Sequence, residues 1–253
     1  MSMPSDDGTP GMLLALTRVQ TLFQSRSLTT ATGFYFCRNG RLFLVTSRHV
    51  FFDGPTGHAP DHVAITCHTD GRDLKSVQSP TLPLYVDGRA AWQQAQDSGG
   101  DIDVAVLEIP RDKVPQPHAM QAFGPDDLPG SKPAIDVGDA LAIPCFPLGF
   151  HDTVHHLPVV RTAAIASAYG VRFQGKGLFL TDGRTHRGSS GAPVLLRAPG
   201  PDDQRRWRLL GVHSSRMDMS DRDLAVDESL GLNCAWYADV LMTLTRTPAR
   251  SPP

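Results

Sequence analysis

The chain has 253 residues, 40% of them hydrophobic and 20% charged, with a formal net charge of −2. That is the composition of a globular protein with one large core or two small ones, and it gives no electrostatic reason to expect nucleic acid or an anionic membrane as partner. No apolar run is long enough to span a bilayer, and the opening Met1-Ser2-Met3-Pro4-Ser5-Asp6-Asp7-Gly8 lacks a basic leader region, so a cytoplasmic location is expected.

In chain order, residues 1–10 read as a polar tail. Met12, Leu13, Leu16, Val19, Leu22 and Phe23 recur at helical spacing and predict an amphipathic helix within an N-terminal segment 1–29. From residue 30 the pattern changes to short apolar stretches separated by Gly, Pro and Asp turns. Strands are predicted at Phe34–Cys37, Leu42–Thr46, Val63–Cys67, Leu82–Val86 and Val104–Ile109, within a first unit 30–111. Six prolines in the stretch from Pro110 to Pro133, both included, mark a linker, 112–132. A second set follows at Ala140–Ile143, Val159–Ala168, Leu178–Thr181, Ala192–Leu196, Trp207–Val212 and Leu232–Ala235. Ala238–Leu244 then reads as a short C-terminal helix, closing a second unit 133–247 before a tail 248–253. The expected fold class is all-β: two six-stranded antiparallel barrels, an N-terminal helix and a short C-terminal helix. The loop Met217–Leu230 reads as a solvated acidic surface loop, and Arg205-Arg206-Trp207-Arg208 as a hairpin with exposed arginines.

Chemistry concentrates in three places. Gly188-Ser189-Ser190-Gly191-Ala192-Pro193 sets glycines around a serine, which lets the backbone turn sharply, exposes a hydroxyl and aims N–H groups at one point. Upstream, the apolar run Leu42–Val45 ends in Thr46-Ser47-Arg48-His49. Asp101-Ile102-Asp103 precedes Val104-Ala105-Val106-Leu107, and a carboxylate at the start of a buried strand needs a hydrogen-bonding partner, which an imidazole supplies. Asp101 and Asp103 face the same side of a strand, so periodicity does not separate them; Asp103 is preferred because the apolar run begins directly after it.

With Gly33-Phe34-Tyr35-Phe36 before the histidine, and Leu210-Gly211-Val212-His213-Ser214 after the serine, the order His49, Asp103, Ser190 resembles the trypsin-like serine peptidases of the chymotrypsin fold over residues 30 to 240. The resemblance implies Ser190 as nucleophile, His49 as general base and acid, and Asp103 as the residue that orients His49. The N–H groups of Gly188 and Ser190 are the implied oxyanion hole. Ser189 stands where the zymogen-activated branch carries an aspartate, and Val50 where secreted trypsins carry a cysteine. Ile143-Pro144-Cys145-Phe146-Pro147-Leu148-Gly149 and Thr181-Asp182-Gly183 are similar to the HtrA-like group. The chain is therefore closer to bacterial HtrA-like and glutamyl-endopeptidase-like proteases, without a PDZ domain.

Thr185 and His213 occupy positions that in the glutamyl endopeptidases and viral 3C-like proteases hold an acidic or amide side chain, and Arg184 adds positive charge. Cleavage after Glu or Gln is expected, with Asp a third option. The implied partners are a protein or peptide substrate and a regulatory protein. The alternatives are a catalytically silent peptide-binding module on the same fold and an esterase using the same acyl chemistry. The four cysteines are isolated and read as reduced core thiols. Cys67-His68 and His155-His156 are the nearest approach to metal ligands and do not complete a set of four, so no metal or cofactor is expected.

Overall fold

The computed structural model describes residues 11–130, 134–199, 205–217 and 230–246. After one helical turn, α1 (Gly11–Leu14), the first half is built from β1 (Leu16–Phe23), β2 (Arg26–Arg38), β3 (Arg41–Thr46) and, after a second short helix α2 (Arg48–Phe51), β4 (His62–Ile65). Two ribbons of two-residue strands follow, β5 (Cys67–His68) with β6 (Val77–Gln78) and β8 (Tyr85–Val86) with β9 (Arg89–Ala90), and between them lies β7 (Thr81–Pro83). β10 (Trp92–Asp97) and β11 (Gly100–Ile109) form the closing hairpin of this half. The main sheet has seven strands in the order β10-β11-β3-β2-β1-β4-β7.

Two expectations are corrected here. The N-terminal helix is a strand. Leu16 at the start of β1 is buried, and from Thr17 onward the buried side chains are Thr17, Val19 and Thr21, which alternate with a period of two. The threonines lie inside because their hydroxyls are satisfied: Thr17 Oγ1 donates to Thr66 O at 3.0 Å and accepts from Thr66 N–H at 2.8 Å. Counting only apolar residues missed them and left a misleading helical spacing. Both edges of β1 are also paired, to β2 and to β4. The second correction concerns the first half, which is an open seven-stranded sheet and not a closed six-stranded barrel. The strands that would close it are only two or three residues long and are interrupted by Pro80, Pro83 and the Asp87-Gly88 turn. A backbone bond from Ala91 N–H to Leu84 O joins these pieces instead.

The second half is a closed barrel, in the order β12-β13-β14-β17-β16-β15. Its strands are β12 (Ala140–Cys145), β13 (Val159–Ile165), β14 (Leu178–Asp182), β15 (Pro193–Pro199), β16 (Arg205–Arg216) and β17 (Leu232–Tyr237), all antiparallel. The chain then enters α3 (Val240–Leu244), the expected C-terminal helix, whose Leu241 and Leu244 are buried. Arg38 Nη1 donates to Met242 O at 2.6 Å and ties this helix to the first half.

Each half has its own core, around Tyr35, Leu44, Phe51 and Leu107 in one and Ile143, Phe179, Val194 and Leu210 in the other. A third cluster lies between them and draws on both: Phe34, Phe36, Val104 and Val106 meet Leu180, Val212 and Leu241. β2 serves two cores by alternation, with Tyr35 facing its own half and Phe34 and Phe36 facing the seam. Burying each of these phenylalanines contributes roughly 2–3 kcal/mol. The segment 112–130 carries a 3-10 turn, Pro125–Asp127, and lies along β2 through Phe123, whose N–H donates to Tyr35 O at 3.0 Å. Most of the loop 217–230, the tails 1–10 and 247–253, and residues 131–133 lie outside the described residues.

Candidate active site

The candidate residues collect at the seam. His49 sits in α2, the single turn that follows β3, and Val50 and Phe51 anchor that turn in the first core. β11 pairs with β3 so that Ala105 lies opposite Thr46. Continuing that register past the end of β3 brings Asp103 to the turn bearing His49. Asp103 Oδ2 lies 2.7 Å from His49 Nδ1, and Oδ1 accepts the His49 backbone N–H at 2.9 Å. Ser214 Oγ donates to Oδ2 at 2.5 Å. Asp101 points elsewhere: it is exposed and accepts from Gln96 Nε2 at 2.6 Å.

The electrostatics follow from this geometry. Burial alone would raise the Asp103 pKa, but the hydrogen bonds and charge of His49, with the Ser214 bond, outweigh it and hold the carboxyl below its usual range. Burial alone would lower the His49 pKa, but the Asp103 bond and charge outweigh it and the pKa is raised. A carboxylate at Nδ1 fixes the proton of neutral imidazole there and leaves Nε2 as a bare acceptor.

Ser190 lies half-buried in the turn between β14 and β15. Its peptide is held from three sides. Thr32 N–H donates to Ser190 O at 3.0 Å, and Gly191 N–H donates to His213 O at 2.8 Å. Ser47 Oγ, two residues before His49, donates to the same His213 carbonyl at 3.1 Å. Gly191 has φ +85° and packs against Thr32 O and Thr46 Oγ1 so closely that no side chain fits there. The serine backbone is thus stapled against the segment that carries His49. Among the described residues the Ser190 hydroxyl has no hydrogen-bond partner, His49 included. The neighbouring Ser189 is fully buried, with its hydroxyl on Cys145 Sγ at 3.4 Å.

The turn also presents free donors. Leu148 N–H donates to Arg187 O at 2.6 Å, which draws that carbonyl to one side. In a trans peptide the following N–H, that of Gly188, points the opposite way. The Gly188 carbonyl accepts from Thr32 Oγ1 at 2.7 Å, and the same hydroxyl accepts from Phe146 N–H at 3.0 Å. Neither Gly188 N–H nor Ser190 N–H has an acceptor among the described residues.

Thr185 is buried, and its hydroxyl donates to Asn233 Oδ1 at 2.5 Å. His213 is buried in β16, and its Nδ1 has no partner. Burial, reinforced by the nearby charge of His49, lowers its pKa to about 4. Arg184 is exposed. Three contributing residues were not singled out from the sequence: Ser214, Thr32 and Asn233. Ser214 ends the stretch Leu210–Ser214, but its bond to Asp103 joins residues 111 apart. Thr32 bonds across 156 positions and Asn233 across 48, so no local pattern announced them.

Among the described residues no group of three or more His, Cys, Asp or Glu side chains is placed to hold a metal. A cavity of ≈ 850 Å³ lies elsewhere, lined by residues including Gln96, Tyr169, Arg172 and Tyr237, and none of His49, Asp103 and Ser190 borders it.

Residues 31–200 match a family model described as a trypsin-like peptidase domain. No curated protein matches the chain. Among solved structures, the crystal structure of the serine endoprotease from Yersinia pestis is similar in fold, with a TM-score of 0.54 and 12% sequence identity. The likeness covers 91% of this chain and 61% of that one, so this chain spans about three fifths of its length. At that identity the likeness is one of fold.

Proposed function

The chain belongs to the trypsin-like peptidase family, and on that premise we propose that it is a serine endopeptidase with His49, Asp103 and Ser190 as its triad. Ser190 Oγ attacks the carbonyl carbon of the scissile bond while His49 Nε2 takes the hydroxyl proton. The same imidazolium then protonates the leaving amine, and water repeats the sequence in reverse on the acyl-enzyme. Asp103 keeps the base nitrogen facing Ser190 and stabilises the imidazolium, and Ser214 holds Asp103. The Gly188 and Ser190 N–H groups receive the developing oxyanion, a donor of this kind being worth about 10²–10³ in turnover. The observation that carries the reading is the His49–Asp103 bond at 2.7 Å beside a serine whose backbone is fastened to the same segment.

Thr185 and His213 support recognition of a Glu or Gln side chain before the scissile bond, with Arg184 at the rim. None of the four cysteines forms a disulfide, which supports a reducing compartment, the cytoplasm. One observation favours a second reading, a silent peptide-binding module: the Ser190 hydroxyl is not bonded to His49 here. Catalytic hydrogen bonds often tighten only with substrate bound, so the enzyme reading stands first. Incubation with a peptide library and mass-spectrometric mapping of the cuts tests it. Cleavage by the wild type that vanishes in Ser190→Ala supports the peptidase; peptide binding without any cleavage supports the module.

A further inference from the structure

The Thr185 and His213 site proposed above to receive the residue before the scissile bond, with Asn233 beside it, allows its protons to be counted. Asn233 is 1% exposed, and its Nδ2 faces three carbonyl oxygens: Gly183 O at 2.7 Å, and Thr181 O and Gly231 O at 3.3 Å. Carbonyls only accept, so the amide orientation is fixed with Oδ1 toward Thr185. Oδ1 also only accepts, so the 2.5 Å bond to Thr185 uses the one hydroxyl proton that Thr185 has. What Thr185 has left for a ligand is lone pairs. It can take a hydrogen bond from a substrate and cannot give one.

His213 supplies the complementary half. It lies opposite Ala235 in the pairing of β16 with β17, and Ala235 is two residues from Asn233. Side chains opposite each other, and side chains two apart in a strand, share a face, so His213, Asn233 and the Thr185 hydroxyl meet on one side of the barrel. His213 is 2% exposed, with both ring nitrogens unpartnered among the described residues and Nδ1 fully enclosed. A neutral imidazole offers one N–H, and Nε2 is the nitrogen left to meet a ligand.

We propose that Asn233 sets this pocket to read a carboxamide, so that the enzyme cleaves after glutamine or asparagine in preference to glutamate or aspartate. The substrate C=O accepts from His213 Nε2–H, and the substrate NH₂ donates to Thr185 Oγ1. A carboxylate in the same place sets a negative oxygen against the lone pairs of Thr185 and meets no buried cation, since His213 is uncharged at neutral pH and Arg184 is exposed. The inference rests on the peptidase reading above and narrows its Glu-or-Gln specificity to the amide.

The test uses peptide pools with randomised flanks and one fixed central residue: Gln, Glu, Leu or Lys. The wild type is expected to cut the Gln pool at least tenfold faster than the Glu pool at pH 7. Thr185→Val keeps the shape and leaves the Asn233 carbonyl bonds intact, and it brings the Gln-to-Glu ratio close to one. Asn233→Ala returns the Thr185 proton and raises Glu cleavage relative to Gln. Equal or faster cleavage after Glu overturns the inference and leaves the Glu-or-Gln reading standing. Dominant cleavage after Leu or Lys overturns both. If the wild type cuts nothing, hydrolysis itself is refuted, and binding of the Gln and Glu pools to Ser190→Ala decides the pocket: tenfold tighter Gln binding supports it, equal binding refutes it.

Discussion

Replacing Asp103 by Asn removes a charge and one acceptor while keeping the shape. In the wild type the two carboxylate oxygens accept from His49 Nδ1, the His49 backbone N–H and Ser214 Oγ. An amide has a single acceptor oxygen, so it either abandons the backbone bond or sets an NH₂ against Nδ1. In the second case Nδ1 must be the acceptor, the proton moves to Nε2, and His49 no longer accepts from Ser190. The same exchange in a triad of this order costs on the order of 10⁴ in turnover, about 5 kcal/mol of transition-state stabilisation. The pH profile moves as well. His49 must be neutral to act, so wild-type kcat/KM rises with pH through a midpoint above the ordinary histidine value of 6.5. Without the carboxylate, burial prevails and the midpoint falls below 6.5. Stability has its own window. The lowered Asp103 pKa contributes stability above its unfolded value of 3.8 that is lost as pH falls through the folded value. The raised His49 pKa contributes stability below 6.5 that is lost as pH rises through its folded value. The melting-temperature gap between wild type and Asp103→Asn is therefore widest between pH 3.8 and 6.5. Steady-state kinetics from pH 5 to 9 and thermal melts from about pH 3 to 9 check both. A loss under tenfold with an unmoved midpoint refutes the reasoning.

Ser214→Ala removes one of three donors to Asp103 and is expected to lower kcat/KM by roughly 3–10-fold with the pH midpoint nearly kept, measured in the same assay. Thr32→Val unties Gly188 O and leaves the Phe146 N–H without its acceptor; it should cost about 1–3 kcal/mol in urea unfolding and lower kcat more than it raises KM. Gly191→Ala forces a methyl group toward Thr32 O and Thr46 Oγ1 at a positive φ. Denaturant unfolding should show a loss on the order of 2–4 kcal/mol.

The three residues of the proposed triad were readable in the sequence because each sits beside a strong local signal. The glycines around Ser190 mark the turn, and apolar strands end before His49 and begin after Asp103. Most strands were readable for the same reason. β1 was not, because its inward positions include Thr17 and Thr21, which count as polar until the partner of the Thr17 hydroxyl on Thr66 is seen. β10 was not, because Gln93, Gln94 and Gln96 give an edge strand no apolar alternation. The openness of the first sheet depends on whether very short strands meet across space, which no local pattern encodes. The same holds for Ser214, Thr32 and Asn233, whose meaning lies in partners far along the chain.

The most direct measurement is reaction of the intact protein with a fluorophosphonate probe, with the adduct located by peptide mass spectrometry. Stoichiometric labelling on Ser190, lost in Ser190→Ala and strongly slowed in His49→Ala and Asp103→Asn, is the result this arrangement predicts. An unlabelled Ser190 under all conditions, or labelling that proceeds equally well without His49, would contradict it.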